Sequence, residues 1–514
     1  VGGSSSTILG VAVFNNGVVA AQSTNVYFGT GSSWTSIDSG RTSAGRYRFE
    51  KYNFSTNEER LIFADGANFA SVYNGTTVMD IKGATTISTT GSASNSSTSL
   101  SVSSAAGIME GMYIGGTNIG SGAKVSSISG TTVTMSVATT GTISSGSVTF
   151  AGLGTAPSDP SMVTAFKNHM FYAGMSAEPN TIVFSAIGDE NDFTASNGAG
   201  SLNVDSTIIA LKSFRGELII FCEDRIYKLA GNALADFAIA PISRNVGCSD
   251  AFSIQEIGGD VIFLAPDGLR TIAGTARIGD VELGTVSKQI QARISDIGFT
   301  NISSVVIRDK SQYRLFYPSG GLESAEKGII GVLKSNPSGQ IGWEYSDIRG
   351  IKPSCCDSGF ISGVEKVIHG GFDGYVYLQE SGNTFNGTAM KAIYRSPDLT
   401  MGDAGIRKNM QRINVNYDPE GSVNASLFVK YDFEDAGTPQ PSAYTLSTAD
   451  TAAVYDNSGT LYDSAVYDAE GMPIVRQSVE GSGFTVVIRL EDESSNPPIT
   501  LKGFELEFTP GARM

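Results

Sequence analysis

The sequence predicts an all-β protein built on an interrupted β-propeller of about six blades, and three observations carry that prediction. The first is composition. Of 514 residues, 40% are apolar, only 17% are charged and 61 are Gly, with Ser and Thr crowding nearly every segment. Such residues favour turns and strand surfaces over helices, while the apolar share is enough for sizeable cores. The second is a repeat. Apolar runs begin at Leu61, Met170, Leu218, Val261, Tyr313 and Val367, at intervals of 109, 48, 43, 52 and 54 residues. Four of these five intervals fall near the ~40–50 residues of a four-stranded propeller blade. The third is punctuation. Several runs follow a turn (Arg215-Gly216-Glu217, Gly258-Gly259-Asp260) and precede another, such as Ala64-Asp65-Gly66, Pro266-Asp267-Gly268 or Phe372-Asp373-Gly374. These residues supply the positive φ of tight hairpins.

In chain order, Ile8–Ile37 contains Val11–Phe14, Val18–Ala20, Asn25–Phe28 and Trp34. It reads as a further blade, or as part of one that closes the ring by pairing with the last blade, since closure removes exposed edges. Together with the run at Leu61 it makes up residues 1–82, the first propeller blades. The doubled first interval has a visible cause in residues 83–153, Gly83 to Leu153, which carry almost no charge and are dominated by Ser, Thr and Gly. Removing them restores the period. Ser99–Val102, Met112–Ile114, Lys124–Ile128, Thr132–Met135 and Ser147–Phe150 alternate as short strands. Their regular apolar positions favour an inserted small β-sandwich or barrel over a linker.

Residues 154–387 hold the remaining blades. One short helix is predicted at Val286–Ile294. Beyond residue 387 the period is lost, and 388–514 reads as a C-terminal antiparallel β-sandwich with long alternating strands at Asn414–Tyr417, Ser426–Tyr431, Phe484–Leu490 and Ile499–Phe508. Between them Pro439–Met472 reads as a polar excursion reaching a neighbour.

Charge and cysteines narrow the function. Net charge is −16, and Gln411–Met514 alone holds sixteen Asp and Glu against six Lys and Arg. No basic run offers the phosphate contacts that hold nucleic acid. Four cysteines (Cys222, Cys248, Cys355, Cys356) lack metal spacing and are too few for a disulfide framework, so buried reduced thiols are expected. No signal peptide is visible, and no apolar stretch approaches the ~18 residues of a membrane span. The opening at Val1 rather than Met suggests missing N-terminal residues.

Chemistry-bearing motifs are scarce. His169 and His369 lie in or beside repeat strands, without a G-x-S-x-G or H-E-x-x-H companion, and read as structural histidines. Asp456-Asn457-Ser458-Gly459 with Asp463 resembles a calcium loop only superficially, because Tyr467 stands where the twelfth-position ligand belongs. Gly188–Phe193 reads as a turn capping a hairpin. Gly115–Gly120 lacks the Lys and following helix of a phosphate loop. Sequons such as Asn53-Phe54-Ser55 matter only in a secretory setting. The expectation is therefore no enzyme, with no catalytic, cofactor-binding or metal residues and no cofactor.

Val183–Phe193 (VFSAIGDENDF), Ala210–Phe221 (ALKSFRGELIIF), Asp224–Gly231 (DRIYKLAG), Gly258-Gly259-Asp260 and Pro266–Leu269 carry a resemblance. The stretch from about Ser161 to Ile290 is similar to the tail nozzle (tail hub, tail tube B) proteins of short-tailed bacteriophages. The insert resembles small Gly/Ser/Thr-rich β modules of phage virion proteins. That resemblance implies a structural virion protein of the tail, a homohexameric ring below portal and adaptor that continues the DNA-ejection channel. Its implied partners are other copies of itself, the adaptor, and tail fibres or spikes, with DNA passing through the lumen unbound and no membrane insertion. Two other classes compete. A receptor- or glycan-binding tail adhesin predicts saccharide affinity and clustered exposed aromatics, and only Trp34 and Trp343 are tryptophans. A propeller glycosidase predicts hydrolysis that one acidic substitution abolishes.

Overall fold

A computed structural model of the chain describes all residues except 2, 4, 44, 55–58, 84, 85, 110, 153, 274–284, 319–325, 336–340, 420–422, 449–473 and 514. It divides into two compact units, Val1–Glu380 and Ser381–Met514.

The first unit is a β-propeller. Among the described residues it contains seven antiparallel sheets in which each strand pairs with the next in sequence: Ile8–Asp38, Arg48–Asp80, Met162–Asn203, Ile208–Ser243, Gln255–Thr271, Ser303–Arg349 and Pro353–Leu378. We number them blades 1 to 7. The apolar runs that set the repeat are the second strand of blades 2 to 7. Such a strand lies between neighbours in its own sheet and between adjacent blades above and below, so both of its faces are buried. Leu61–Phe63, Met170–Tyr172, Leu218–Phe221, Val261–Leu264 and Tyr313–Phe316 are all buried on both faces. That explains why they read as continuous apolar runs rather than as alternation.

The blade count is one higher than the spacing predicts. The second strand of blade 1, Gly17–Gln22 (GVVAAQ), is equally buried but made of small residues, so it hardly stands out as an apolar run. Blade 1 is a complete four-stranded sheet, and among the described residues it shares no sheet with blade 7. Closure uses packing, side chains and the Val1 amino group, which donates to the Gly374 carbonyl at 2.8 Å. Ser354 Oγ donates to the Ile8 carbonyl at 2.7 Å, the Val13 N–H donates to Asp357 Oδ2 at 2.7 Å, and Ile8, Val11, Val13, Cys355 and Ile368 form one apolar cluster.

Turn chemistry is shared around the ring. In blades 1, 3, 4, 5 and 7 the first two strands are joined by two residues, both with positive φ: Asn15-Asn16, Lys167-Asn168, Arg215-Gly216, Gly258-Gly259 and Ser362-Gly363. This is the turn whose twist matches that of the flanking strands.

Between blades 2 and 3 the strands Thr86–Ala93, Ser99–Val102, Tyr113–Gly116, Val125–Ser129, Thr132–Met135 and Ile143–Ala151 form one sheet. Its two edges meet. The Ile114 N–H donates to the Ala123 carbonyl at 2.8 Å and the Val125 N–H to the Met112 carbonyl at 2.9 Å, so the insert is a small closed barrel around Leu100, Val102, Val133, Val148 and Phe150. The predicted helix shrinks to a 3-10 turn, Lys288–Ile290, and one α-helical turn, Gln291–Ile294. Its Ile290 and Ile294 pack into the core shared by blades 5 and 6.

The second unit has two antiparallel sheets. One orders Ala392–Arg395, Val486–Asp492, Val423–Tyr431 and Tyr444–Thr448. The other is centred on Ile406–Pro419, which pairs with Ile474–Ser478, Ser482-Gly483 and the long strand Ile499–Arg513. Ile413, Val415, Leu427, Val429 and Ile488 close a core between them, and Val423–Tyr431 alternates buried and partly exposed positions as a sandwich strand should.

Candidate functional site

The histidines and cysteines are built into the blades. His169 is buried in blade 3 among Phe184, Phe237 and Phe171, with ring centroids 5.6, 5.5 and 6.3 Å away. Its Nδ1 lies 2.6 Å from the Ser185 carbonyl, an acceptor only, so Nδ1 carries the proton. His369, in blade 7, stacks on Tyr377 at 5.0 Å, and Gln379 Nε2 lies 3.3 Å from its Nδ1. Burial lowers its pKa to about 4, against the opposing pull of Asp373, which keeps it neutral at pH 7. The four cysteines are free thiols. Burial pushes Cys222 and Cys248 up to about 12 and raises Cys355 and Cys356 as well, so the nucleophilic thiolate is disfavoured at each. Cys355 and Cys356 are strand neighbours and point to opposite faces, the first toward Ile8 of blade 1 and the second toward Ser303 of blade 6. Among the described residues no three His, Cys, Asp or Glu side chains are grouped to hold a metal ion. The calcium-like stretch at Asp456 and Asp463 lies outside the described residues.

Gly188–Phe193, part of one stretch that carries the sequence resemblance, lies between the third and fourth strands of blade 3 and is largely buried. Asn191 Oδ1 accepts the N–H of Gly83, at the neck of the barrel, at 2.9 Å. Glu190 pairs with Arg60 of blade 2 at 2.9 Å, and its carbonyl accepts the Tyr172 hydroxyl at 2.9 Å. Asp192 accepts from the Thr194 N–H at 2.8 Å and Asn197 Nδ2 at 2.6 Å. Gly111 of the barrel passes so close that a Cβ there would lie 2.9 Å from Asp189 Oδ2. Burial, with Glu190 nearby, pushes Asp189 up to about 6. The segment is the joint that fixes the barrel to blades 2 and 3.

Two arginine clusters flank the start of blade 2. Arg41 is buried and fully engaged. It meets Asp38 and Asp65 at 3.0 Å and Asp80 at 3.9 Å, donates to Ser71 Oγ at 2.7 Å and to the Tyr47 hydroxyl at 3.0 Å, and lies 5.1 Å over Phe63. Its pKa is raised, since Tyr47 and Asp65 outweigh the lowering effect of burial.

Arg46 and Arg48 differ. They stand where the first strand of blade 2 begins, at the end of the ring where the chain enters each blade. Both guanidinium groups lie against the ring of Phe252, which precedes blade 5, at 3.6 and 4.4 Å from its centroid. Arg46 Nη1 donates to the Ile302 carbonyl beside blade 6. Thus side chains from blade 2 reach residues at the entries of blades 5 and 6, across the axis of the ring. Arg46 Nε, Arg46 Nη2 and Arg48 Nη2 are buried without a hydrogen-bond partner, and no carboxylate of a described residue comes within 4.0 Å of either group. Asp250 is the acid nearby, occupied by the Phe252 N–H at 2.7 Å. Burial raises its pKa although Arg46 and Arg48 pull the other way. Arg48 itself falls to about 10 through burial. No sequence motif marks this cluster, because Arg46, Phe252 and Ile302 meet only when the ring closes.

No protein-family model and no curated protein matches the sequence. Solved structures show distant likenesses. Hsv2 of Kluyveromyces lactis is 10% identical, covering 67% of this chain and 98% of that one at a TM-score of 0.29. Sqt1 of Saccharomyces cerevisiae is 11% identical over 73% and 96%, at 0.34. An ancestral GH74 enzyme is 9% identical over 73% and 48%, at 0.30. Likenesses of this degree say nothing about function.

Proposed function

We propose that this chain is a structural virion protein, the nozzle of a short-tailed phage tail, forming a homohexameric ring that continues the ejection channel below portal and adaptor. The observation that carries the reading is the role of Gly188–Phe193. These residues, in one of the segments that carry the resemblance, are consumed in holding barrel to propeller, with Asn191 on Gly83 and Glu190 on Arg60. Side chains spent this way serve a scaffold, as a nozzle requires. The acidity of Gln411–Met514 supports the same reading, since a wall poor in Lys and Arg does not grip passing phosphates. Fibres or spikes are the proposed partners of the outer surface.

The test is cryo-electron microscopy of DNA-filled heads that carry portal and adaptor, with and without this protein. A new six-fold ring coaxial with the portal is the expected result. Folded protein that adds no density would overturn the proposal, and glycan-array binding would then decide for the adhesin.

A further inference from the structure

We infer that the mouth of the propeller's axial channel is a binding site for a small free oxyanion of the phosphate or sulfate type, held by Arg46 and Arg48. Its residues come from blades 2, 5 and 6 alone, so it does not depend on the assembly proposed above.

Three observations converge. First, two guanidinium groups share one aromatic ring, at 3.6 and 4.4 Å from the Phe252 centroid. Phe252 can attract both cations, but it neutralises neither. Second, their charge is uncompensated at contact range, with no described carboxylate within 4.0 Å. Arg46 Nε, Arg46 Nη2 and Arg48 Nη2 are buried without a hydrogen-bond partner, which is costly for a charged group. Asp250 lies near enough to attract both at longer range, but it is beyond 4.0 Å of either guanidinium, and its Oδ1 accepts the Phe252 N–H. Third, the pair is partly accessible. Both arginines are half-buried rather than sealed, and while Arg48 Nη2 is covered, the other nitrogens of Arg48 are neither covered nor hydrogen-bonded. Donors of Arg48 are therefore left open at the end of the ring where the first strands of the blades begin.

Ligand chemistry follows from the donors. Planar, permanently charged guanidinium groups match the oxygens of phosphate and sulfate, with short charge-assisted hydrogen bonds. Chloride offers no comparable geometry. Arg46 is fixed by the Ile302 carbonyl and sets the field, while Arg48 makes the direct contacts.

Isothermal titration calorimetry of the full chain with sodium phosphate, at constant ionic strength in chloride buffer, tests this. One saturable site is expected, displaced by sulfate and not by chloride. Affinity should fall about tenfold or more in Arg48→Met and survive in part in Arg48→Lys. Crystals soaked in selenate provide a readout that needs no variant, with an anomalous peak expected beside Arg48. Absence of saturable binding, unchanged affinity in a folded Arg48→Met protein, or a selenate peak elsewhere would each overturn the inference.

Discussion

Arg41 and Arg48 stand seven positions apart and are both drawn into the propeller, yet their surroundings are opposite. Arg41 has three carboxylates, a serine and a tyrosine around it, whereas Arg48 has one phenylalanine ring, another arginine and, beyond contact range, Asp250. The first arrangement satisfies a buried cation and ties blade 1 to blade 2. The second leaves a cation unsatisfied at an opening. The lesson is that a buried charge is informative when its partners are missing, not when they are present.

Substitutions can sharpen or break this contrast. Arg41→Met carries the largest expected effect, because it strands the fully buried Asp65 carboxylate. Loss of one partner of a buried pair costs about 3–5 kcal/mol, measurable as a lower urea midpoint. Gly259→Val should cost about 2 kcal/mol. Its φ is +74°, but an added Cβ would meet nothing nearer than 3.6 Å, so the penalty is backbone strain alone. The blade should still form, and the assembly proposed above should survive it.

Asp189→Asn isolates the joint. Asp189 holds its proton more tightly folded than unfolded, up to about 6 against an ordinary 3.8. Its contribution is thus fully present below the unfolded value and lost as pH rises through about 6. The amide should therefore stabilise the protein by about 1–2 kcal/mol at about pH 7.5 and by almost nothing at about pH 4. Thermal melts at the two pH values check this, and an equal gain at both would refute it. Smallest is Arg48→Met in oxyanion-free buffer, where removing an uncompensated charge should change stability by less than about 1 kcal/mol, in the stabilising direction. A loss as large as that of Arg41→Met would erase the distinction between the two clusters.

The same contrast explains what could be read from the chain. Blades 2 to 7 were legible because a strand buried on both faces must be apolar throughout, as Leu218–Phe221 is. Blade 1 was half legible, since Val18–Ala21 meets the same constraint with smaller side chains. The hairpin turns were plain at Gly258-Gly259 and legible only to within a residue before Met170, where Asn168-His169 reads as the turn and the non-glycine pair Lys167-Asn168 adopts the positive φ. The Gly188–Phe193 segment drew attention by its acids, but nothing local indicated that Asn191 would hold Gly83. The channel mouth left no trace, because its parts come from three blades and only ring geometry assembles them.

Closure by packing has a consequence for biosynthesis. Blade 1 completes its own sheet by Asp38, so it can fold as a local meander long before its last neighbour is translated. The seam at Ile8, Val13, Ser354 and Asp357 then forms by docking two finished sheets. A propeller so made tolerates, in principle, being reopened at that seam. Joining its ends and cutting between other blades would give a permuted chain that reaches the same ring by a different order of docking events.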